Sequence, residues 1–401
     1  MLKECLEVFE TQMKACKDPD DIILGDYVPA DGTYVIVKLD GSITHQEIKF
    51  NKKTKELELI PSNYEELKFY DYHSRLVSMD KPQDPKKIIH SNNYLSFWVK
   101  KESFRNGKFN KEAIGRYFQA VKEPLEKYKK AQEIALYQEV EKEVGAVEVA
   151  MVERHWKWVQ ENIFELEAQG IPMQNKDYLK IFFEAPREMY ILEEKRYLYV
   201  KLFNNNDYNI SANSEIIGLP GNNLGYNSKK PYLEQVARKI PVSTLLSTKE
   251  ALLQKKFFEY LMNQATHGRN NVYINLEDGK IFAKEKGELP SSDFTGLFLQ
   301  IQKGTEAEIL YQDNIVAYKN TLQPAFHFEN VLGKKDIEEE YKVYSEKKDL
   351  QRLINTIFFS KYLVLNYFTA PEDLSITDSD IKRNLLKIRG DRKSTRLNSS
   401  H

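Results

Sequence analysis

Two Asp-Gly dipeptides, Asp40-Gly41 and Asp278-Gly279, each sit between apolar-rich runs. Asp-Gly tolerates the positive φ angles that a tight two-residue hairpin turn demands. The first pair therefore joins Tyr34–Leu39 to Ser42–Phe50 as antiparallel strands. The second joins Asn271–Leu276 to Lys280–Lys284 in the same way. A chain with two such hairpins is not a helical bundle. Asn51–Lys55 followed by Glu56–Ile60 offers a further strand after the first hairpin, and Phe294–Lys303 and Glu308–Lys319 continue the second. Tyr178–Phe183 and Leu192–Phe203 also read as strands.

Helical spacing alternates with these segments. Leu2, Cys5, Leu6, Phe9 and Met13 recur every three to four residues in Met1–Lys14. Ile114, Tyr117, Phe118, Val121 and Leu125 do the same in Asn110–Lys130, where Pro124 places a boundary near Glu123. Gln132–Gln169 reads as a long acidic helix. Ser247-Thr248-Lys249-Glu250 is a capping box that opens another helix, and Gly268 closes it. Glu346–Phe368 and Ile381–Ile388 are helical again. The expected fold class is α+β: a mixed amino-terminal domain of β-hairpins and helices over residues 1–345, then the first helices of a truncated carboxy-terminal helical domain over residues 346–390. Residues 391–401, ending TRLNSSH, resemble a translated sequencing adapter and are set aside, so the native chain is expected to be cut near Arg389 or Gly390.

With 41% hydrophobic and 12% aromatic residues, the 401-residue chain can build real cores. It has no secretory signal and no apolar run of the roughly 18–20 residues that a membrane span needs, so a cytoplasmic setting without membrane partners is expected. Cys5 and Cys16 form no metal-ligand pattern with each other or with histidine. P-loop, GxSxG, HExxH and dinucleotide GxGxxG motifs are absent. Gly218, Gly221 and Gly225 make a GxxGxxxG that follows no suitable strand. The histidines are dispersed, and Glu193-Glu194 and Glu338-Glu339-Glu340 read as solvated charge. The chain is therefore expected to be non-enzymatic, with no cofactor and no metal.

Charge points to a partner. The net charge is only −1, yet it is sorted along the chain. Lys81–Lys130 holds 13 Lys/Arg against 5 Asp/Glu, Gly225–Asn270 holds 8 against 3, and Ala131–Gly170 between them has 9 glutamates against 3 basic residues. Basic residues here mix with amides and aromatics, a composition suited to phosphate, base edges and unpaired bases. The candidate nucleic-acid contacts are Lys86, Lys87, Asn92, Asn93, Lys100 and Lys101 in the first segment. In the second they are Asn222, Asn223, Asn227, Lys229, Lys230, Arg238 and Lys239. Lysines would neutralise phosphate and amides would read bases or sugar edges. Phe97 and Trp98 alternate with core positions and read as buried.

Leu76–Phe104 (LVSMDKPQDPKKIIHSNNYLSFWVKKESF) and Gly221–Ile274 (opening GNNLGYNSKKPYLEQVARKIPV) resemble signatures of the type I-B CRISPR-associated large-subunit family. The opening MLKECLEVFETQM and Val28–Val37 are also similar, so the resemblance runs in order through most of Met1–Gly390. It implies a non-catalytic subunit of Cascade, the RNA-guided surveillance complex. Such a subunit recognises the protospacer-adjacent motif, helps open the duplex and docks a helicase-nuclease. The implied partners are other Cascade subunits, CRISPR RNA, target DNA bearing the motif, and that helicase-nuclease. The family continues into a longer helical bundle than this chain contains. Two other readings stand beside it: a metal-dependent nuclease associated with CRISPR, and a scaffold that binds protein subunits alone.

Overall fold

The computed structural model describes residues 1–401 except 52, 204–205, 213–214, 221–244, 286–287, 332, 334–340, 367–373 and 396–401. Its elements divide between two compact units, Ile23–Asn263 and Met1–Ile22 with Gln264–His401. This division differs from a boundary at 345/346, because the chain's first residues pack with elements that follow residue 264. The helix that opens the chain, α1 (Leu2–Ala15), belongs to that second unit.

The unit Ile23–Asn263 is built on a four-stranded mixed sheet. Its strands are β1 (Gly32–Val37), β2 (Ile43–Ile48), β3 (Ser96–Lys100) and β4 (Tyr178–Phe183), in the order β2-β1-β4-β3. The β1–β2 hairpin turns through Asp40 and Gly41, with Gly41 at φ 84°. β1 and β4 run parallel, and every residue of β1 is buried, as a strand covered on both faces requires. Gly32 lies opposite Tyr178 so closely that a Cβ would stand 2.5 Å from the Tyr178 carbonyl oxygen.

Helices cover both faces. On one, Tyr34, Lys180, Phe182 and Trp98 meet α2 (Tyr64–Ser74) and its neighbour α6 (Arg187–Lys201): Tyr70 stacks 4.4 Å from Tyr190 and 5.9 Å from Phe182. On the other, Phe97 stacks 5.8 Å from Phe118 of α3 (Lys111–Lys122). The acidic stretch is two helices, α4 (Ala131–Val144) and α5 (Val149–Asn162), separated at Gly145 with φ 79°. His155 of α5 lies 3.9 Å from Phe183 and parallel to it. Asn110 caps α3 through the Ala113 N–H at 2.9 Å, and the helix stops at Glu123 before Pro124.

Leu192–Phe203 is not a strand. It lies mostly in α6, where Tyr190, Glu193, Glu194, Tyr197, Leu198 and Val200 form the buried side. Charged residues occupy inward positions there and break the apolar signal. Glu193 is held by Arg196, and Glu194 accepts from His73 Nδ1 at 2.5 Å. Lys255 and Glu259, on α7 (Thr248–Thr266), extend this buried network: Lys255 pairs with Glu259 at 2.8 Å, and Glu259 also accepts from Arg75 and from the Tyr72 hydroxyl. The capping box forms as the sequence requires. Ser247 N–H donates to Glu250 at 2.9 Å, and the Glu250 N–H returns to Ser247 Oγ at 3.2 Å.

In the second unit, β5 (Asn271–Asn275), β6 (Lys280–Lys284), β7 (Phe294–Lys303) and β8 (Ala307–Tyr318) form an antiparallel sheet in the order β6-β5-β7-β8. α1 packs on it, and Gln12 accepts from the Ile281 N–H at 3.0 Å. A separate antiparallel pair, β9 (Thr321–Glu329) with β10 (Tyr341–Glu346), precedes α8 (Lys347–Phe359), α9 (Tyr362–Asn366) and α10 (Ser379–Thr395). The last helical region has its own small core of Phe359, Leu363, Leu374, Ile376 and Leu385. α10 continues through 391–395, residues set aside in the sequence reading. The fold is α+β.

Candidate nucleic-acid interface

The connection between α2 and β3 carries Lys86, Lys87, Asn92 and Asn93, while Lys100 ends β3 and Lys101 follows it; one carboxylate organises the connection. Asp84 is fully buried. It accepts from the backbone N–H groups of Lys86 at 3.1 Å, Ile88 at 2.8 Å and Ile89 at 3.1 Å. Arg116 of α3 approaches the same carboxylate at 3.5 Å. From the other side Lys127 Nζ donates to the carbonyls of Pro82 at 2.6 Å and Gln83 at 3.0 Å. The turn is thereby fixed at both ends. With Lys87 in the left-handed region at φ 57°, it exposes Pro85, Lys86 and Lys87 while burying Ile89.

His90 follows and joins the turn to the sheet. Its Nε2–H donates to the Lys87 carbonyl at 3.0 Å, so Nδ1 accepts from the Tyr178 hydroxyl at 2.9 Å. Burial lowers the His90 pKa, opposed by the Lys87 carbonyl and reinforced by Lys100, so the ring is neutral at pH 7. Tyr178 is the cross-strand partner of Lys100. The Lys100 ammonium stands 5.9 Å from the Tyr178 ring centre, and the residue, the last of β3, is exposed. Lys100 thus stands beside the ring of the half-buried Tyr178, which meets the buried His90, and His90 bonds the backbone of the turn that exposes Lys86 and Lys87. Among the described residues, the Lys87 ammonium has one recorded contact, a solvent-exposed one with Asp80 at 3.5 Å.

This arrangement offers ammonium groups for phosphates beside an aromatic ring, on a framework that does not need a ligand to form. Sequence reasoning placed Tyr178 in a strand and overlooked it as a surface residue, because it is 78 positions from Lys100 and only strand pairing joins them. Asp84 and Arg116 were overlooked as well. Asp84 between two prolines in KPQDPKK was the available signal, since aspartate readily ties nearby backbone N–H groups into turns.

Three of the predicted contacts are corrected. Asn92 is buried, and its amide donates to the carbonyls of His73 at 3.1 Å and Arg75 at 2.8 Å. Asn93 is buried too, and its side-chain oxygen accepts from Leu95 N–H at 2.9 Å and Ser96 Oγ at 3.1 Å. Lys101 is fully buried against Asp177 at 2.8 Å and Thr33 Oγ1 at 2.5 Å. Their polar groups satisfy the folded connection, which buried backbone demands, and do not face a ligand. Asn222, Asn223, Asn227, Lys229, Lys230, Arg238 and Lys239 lie outside the described residues.

Among the described residues, no group of three or more His, Cys, Asp or Glu side chains is placed to hold a metal ion, and no helix is long and apolar enough to cross a membrane. Comparison of the chain with protein-family models, curated proteins and solved structures finds no match.

Proposed function

We propose that this chain is a non-catalytic nucleic-acid-binding subunit, the large subunit of a type I-B Cascade complex. In that role it reads the protospacer-adjacent motif in duplex DNA while the guide RNA reads the remaining target. The observation that supports the binding reading is the Asp84-centred turn, which leaves Lys86 and Lys87 exposed and leads through His90 to Tyr178, where Lys100 stands over the ring. The sequence resemblance supplies the kind of complex. Lysines on a rigid turn grip backbone in any sequence, so motif discrimination belongs to the amides Asn222 and Asn223 of the second segment.

The division of labour gives a direct experiment. Complex reconstituted with the other subunits and guide RNA is titrated with motif-bearing and motif-scrambled duplexes. Asn222→Ala with Asn223→Ala reduces the difference between the duplexes; Lys86→Gln with Lys87→Gln weakens both alike. Unchanged binding by both variants overturns the assignment. Nucleic-acid cleavage by the purified chain that chelator abolishes would instead establish the nuclease reading.

A further inference from the structure

An open cavity of about 100 Å³ lies between α5 and the turn that joins β1 to β2, and none of its lining residues belongs to the Asp84 turn. Its walls are fixed by bonds within the fold. The Glu184 N–H donates to the Val37 carbonyl at 2.9 Å, and the Glu184 carboxylate accepts from the Leu39 N–H at 3.0 Å, so the start of the turn is tied to the residue after β4. On α5, His155 lies parallel to Phe183 at 3.9 Å, and Trp158 meets the same ring edge-on at 5.7 Å. Arg154, also in the lining, stands one helical turn from Trp158 and so on the same side of α5. Leu39 lines the cavity too and is 76% exposed although apolar.

Two polar groups of this cavity have no partner among the described residues. His155 is only 5% exposed, and its Nδ1–H donates to the Tyr94 carbonyl at 3.0 Å. Burial brings its pKa down to about 4, so the ring is neutral at pH 7 and Nε2 carries a lone pair that receives no donor from the described residues. An acceptor left open in so buried a ring is costly unless something donates to it. Arg154 is exposed and forms no ion pair or hydrogen bond with any described residue. Trp158 is only half-buried, and the Glu184 carboxylate beside it adds further acceptor capacity. The cavity therefore suits a ligand that brings an N–H donor, an apolar face and a nearby negative charge.

We infer that this cavity takes the edge of an unpaired nucleobase, whose N–H donates to His155 Nε2 while its face lies against Trp158 and the adjoining phosphate meets Arg154. An unpaired base carries all three properties the cavity suits: N–H groups on its pairing edge, a π-face that stacks on aromatic side chains, and a phosphate next to it. A base inside a duplex has its pairing edge and both faces occupied, so the cavity selects single strands. The space admits one edge of a base rather than a whole nucleoside, in keeping with a base that stacks on Trp158 from the solvent side. These residues and this form of nucleic acid are distinct from the duplex grip of Lys86, Lys87 and Lys100, and the inference does not rest on the proposed Cascade role.

The test uses the full chain carrying Lys86→Gln, Lys87→Gln and Lys100→Gln, which removes the lysine grip. It is titrated with a fluorescently labelled short thymidine oligonucleotide and with an abasic oligonucleotide of the same length, and binding is followed by anisotropy. The two strands present the same phosphates and differ only in their bases. The thymidine strand should bind about tenfold more tightly, as stacking of one base on an aromatic side chain provides. Trp158→Leu should abolish that preference, Trp158→Phe should keep it, and Arg154→Gln should weaken both strands alike. Thymidine monophosphate that competes as strongly as the strand identifies a free nucleotide as the occupant, and weak competition identifies the strand. Equal affinity for the thymidine and abasic strands overturns the inference, as does a preference that survives in the folded Trp158→Leu chain.

Discussion

Lys180 projects from the middle of a sheet, and its neighbours let that position hold an amine. Asp71 of α2 receives its hydrogen bond, the Tyr34 hydroxyl stands at 3.0 Å, and the Trp98 ring lies 3.9 Å from the ammonium. Burial lowers the Lys180 pKa and Asp71 opposes that shift. Asp71→Asn leaves the amine without its counter-charge. Removing one partner of a buried pair typically destabilises by about 3–5 kcal/mol. Urea unfolding should show a loss of that order, and an unchanged midpoint would refute the pairing. Acid sensitivity also begins at single residues. Burial against Phe183 brings His155 down to about 4 from 6.5. The unfolded chain therefore binds the extra proton first, and stability falls as pH drops from about 6.5 to about 4. Burial raises the Glu259 carboxyl, but Arg75, Lys255 and Tyr72 outweigh it and hold the pKa at about 2. Its contribution is present above 4.5 and is lost as pH falls towards 2. In thermal unfolding, His155→Gln should flatten the decline between pH 6.5 and 5 while leaving the decline below pH 4.5. A profile identical to wild type would rule out His155 as its source.

At the level of elements, local rules and long-range pairing separate cleanly. Asp40-Gly41 and the Ser247–Glu250 box each act within a few residues, and each was legible. The register that sets Lys100 beside Tyr178 depends on a pairing across 78 residues and was not. α6 was misread because its inward side holds Glu193, Glu194 and Arg196, which a hydrophobic pattern counts as surface. Asn92, Asn93 and Lys101 were misread for the converse reason: residue types suited to ligands serve as internal partners. Phe97 and Trp98 were read as core and are buried. The Asp84 turn makes its own prediction. In hydrogen exchange the Ile88 and Ile89 amides should be protected, and Asp84→Ala should expose both to rapid exchange. The lost hydrogen bonds should destabilise the fold by about 1–3 kcal/mol. Continued protection would mean that the carboxylate does not organise the turn.

Across the molecule, the excess of basic residues in Lys81–Lys130 overstates the charge available to a partner. Lys101 is paired with Asp177, Lys122 with Glu153 at 2.7 Å and Arg116 with Glu112 at 3.4 Å, while Lys127 clamps backbone. Sequence counting locates a basic segment, but folding decides which charges still face solvent. Lys86 and Lys87 on the Asp84 turn, with Lys100 beside Tyr178, are the part of that segment on which nucleic-acid binding is expected to depend. Its salt dependence is the most direct measurement. Binding to duplex DNA is followed from low to physiological salt for wild type, for the chain with Lys86→Gln, Lys87→Gln and Lys100→Gln, and for a Lys157→Gln control. Each neutralised phosphate contributes about 0.9 to the slope of log affinity against log salt. The triple variant should lose about two to three units of slope while the control keeps the wild-type value; a triple variant with the wild-type slope would contradict the account.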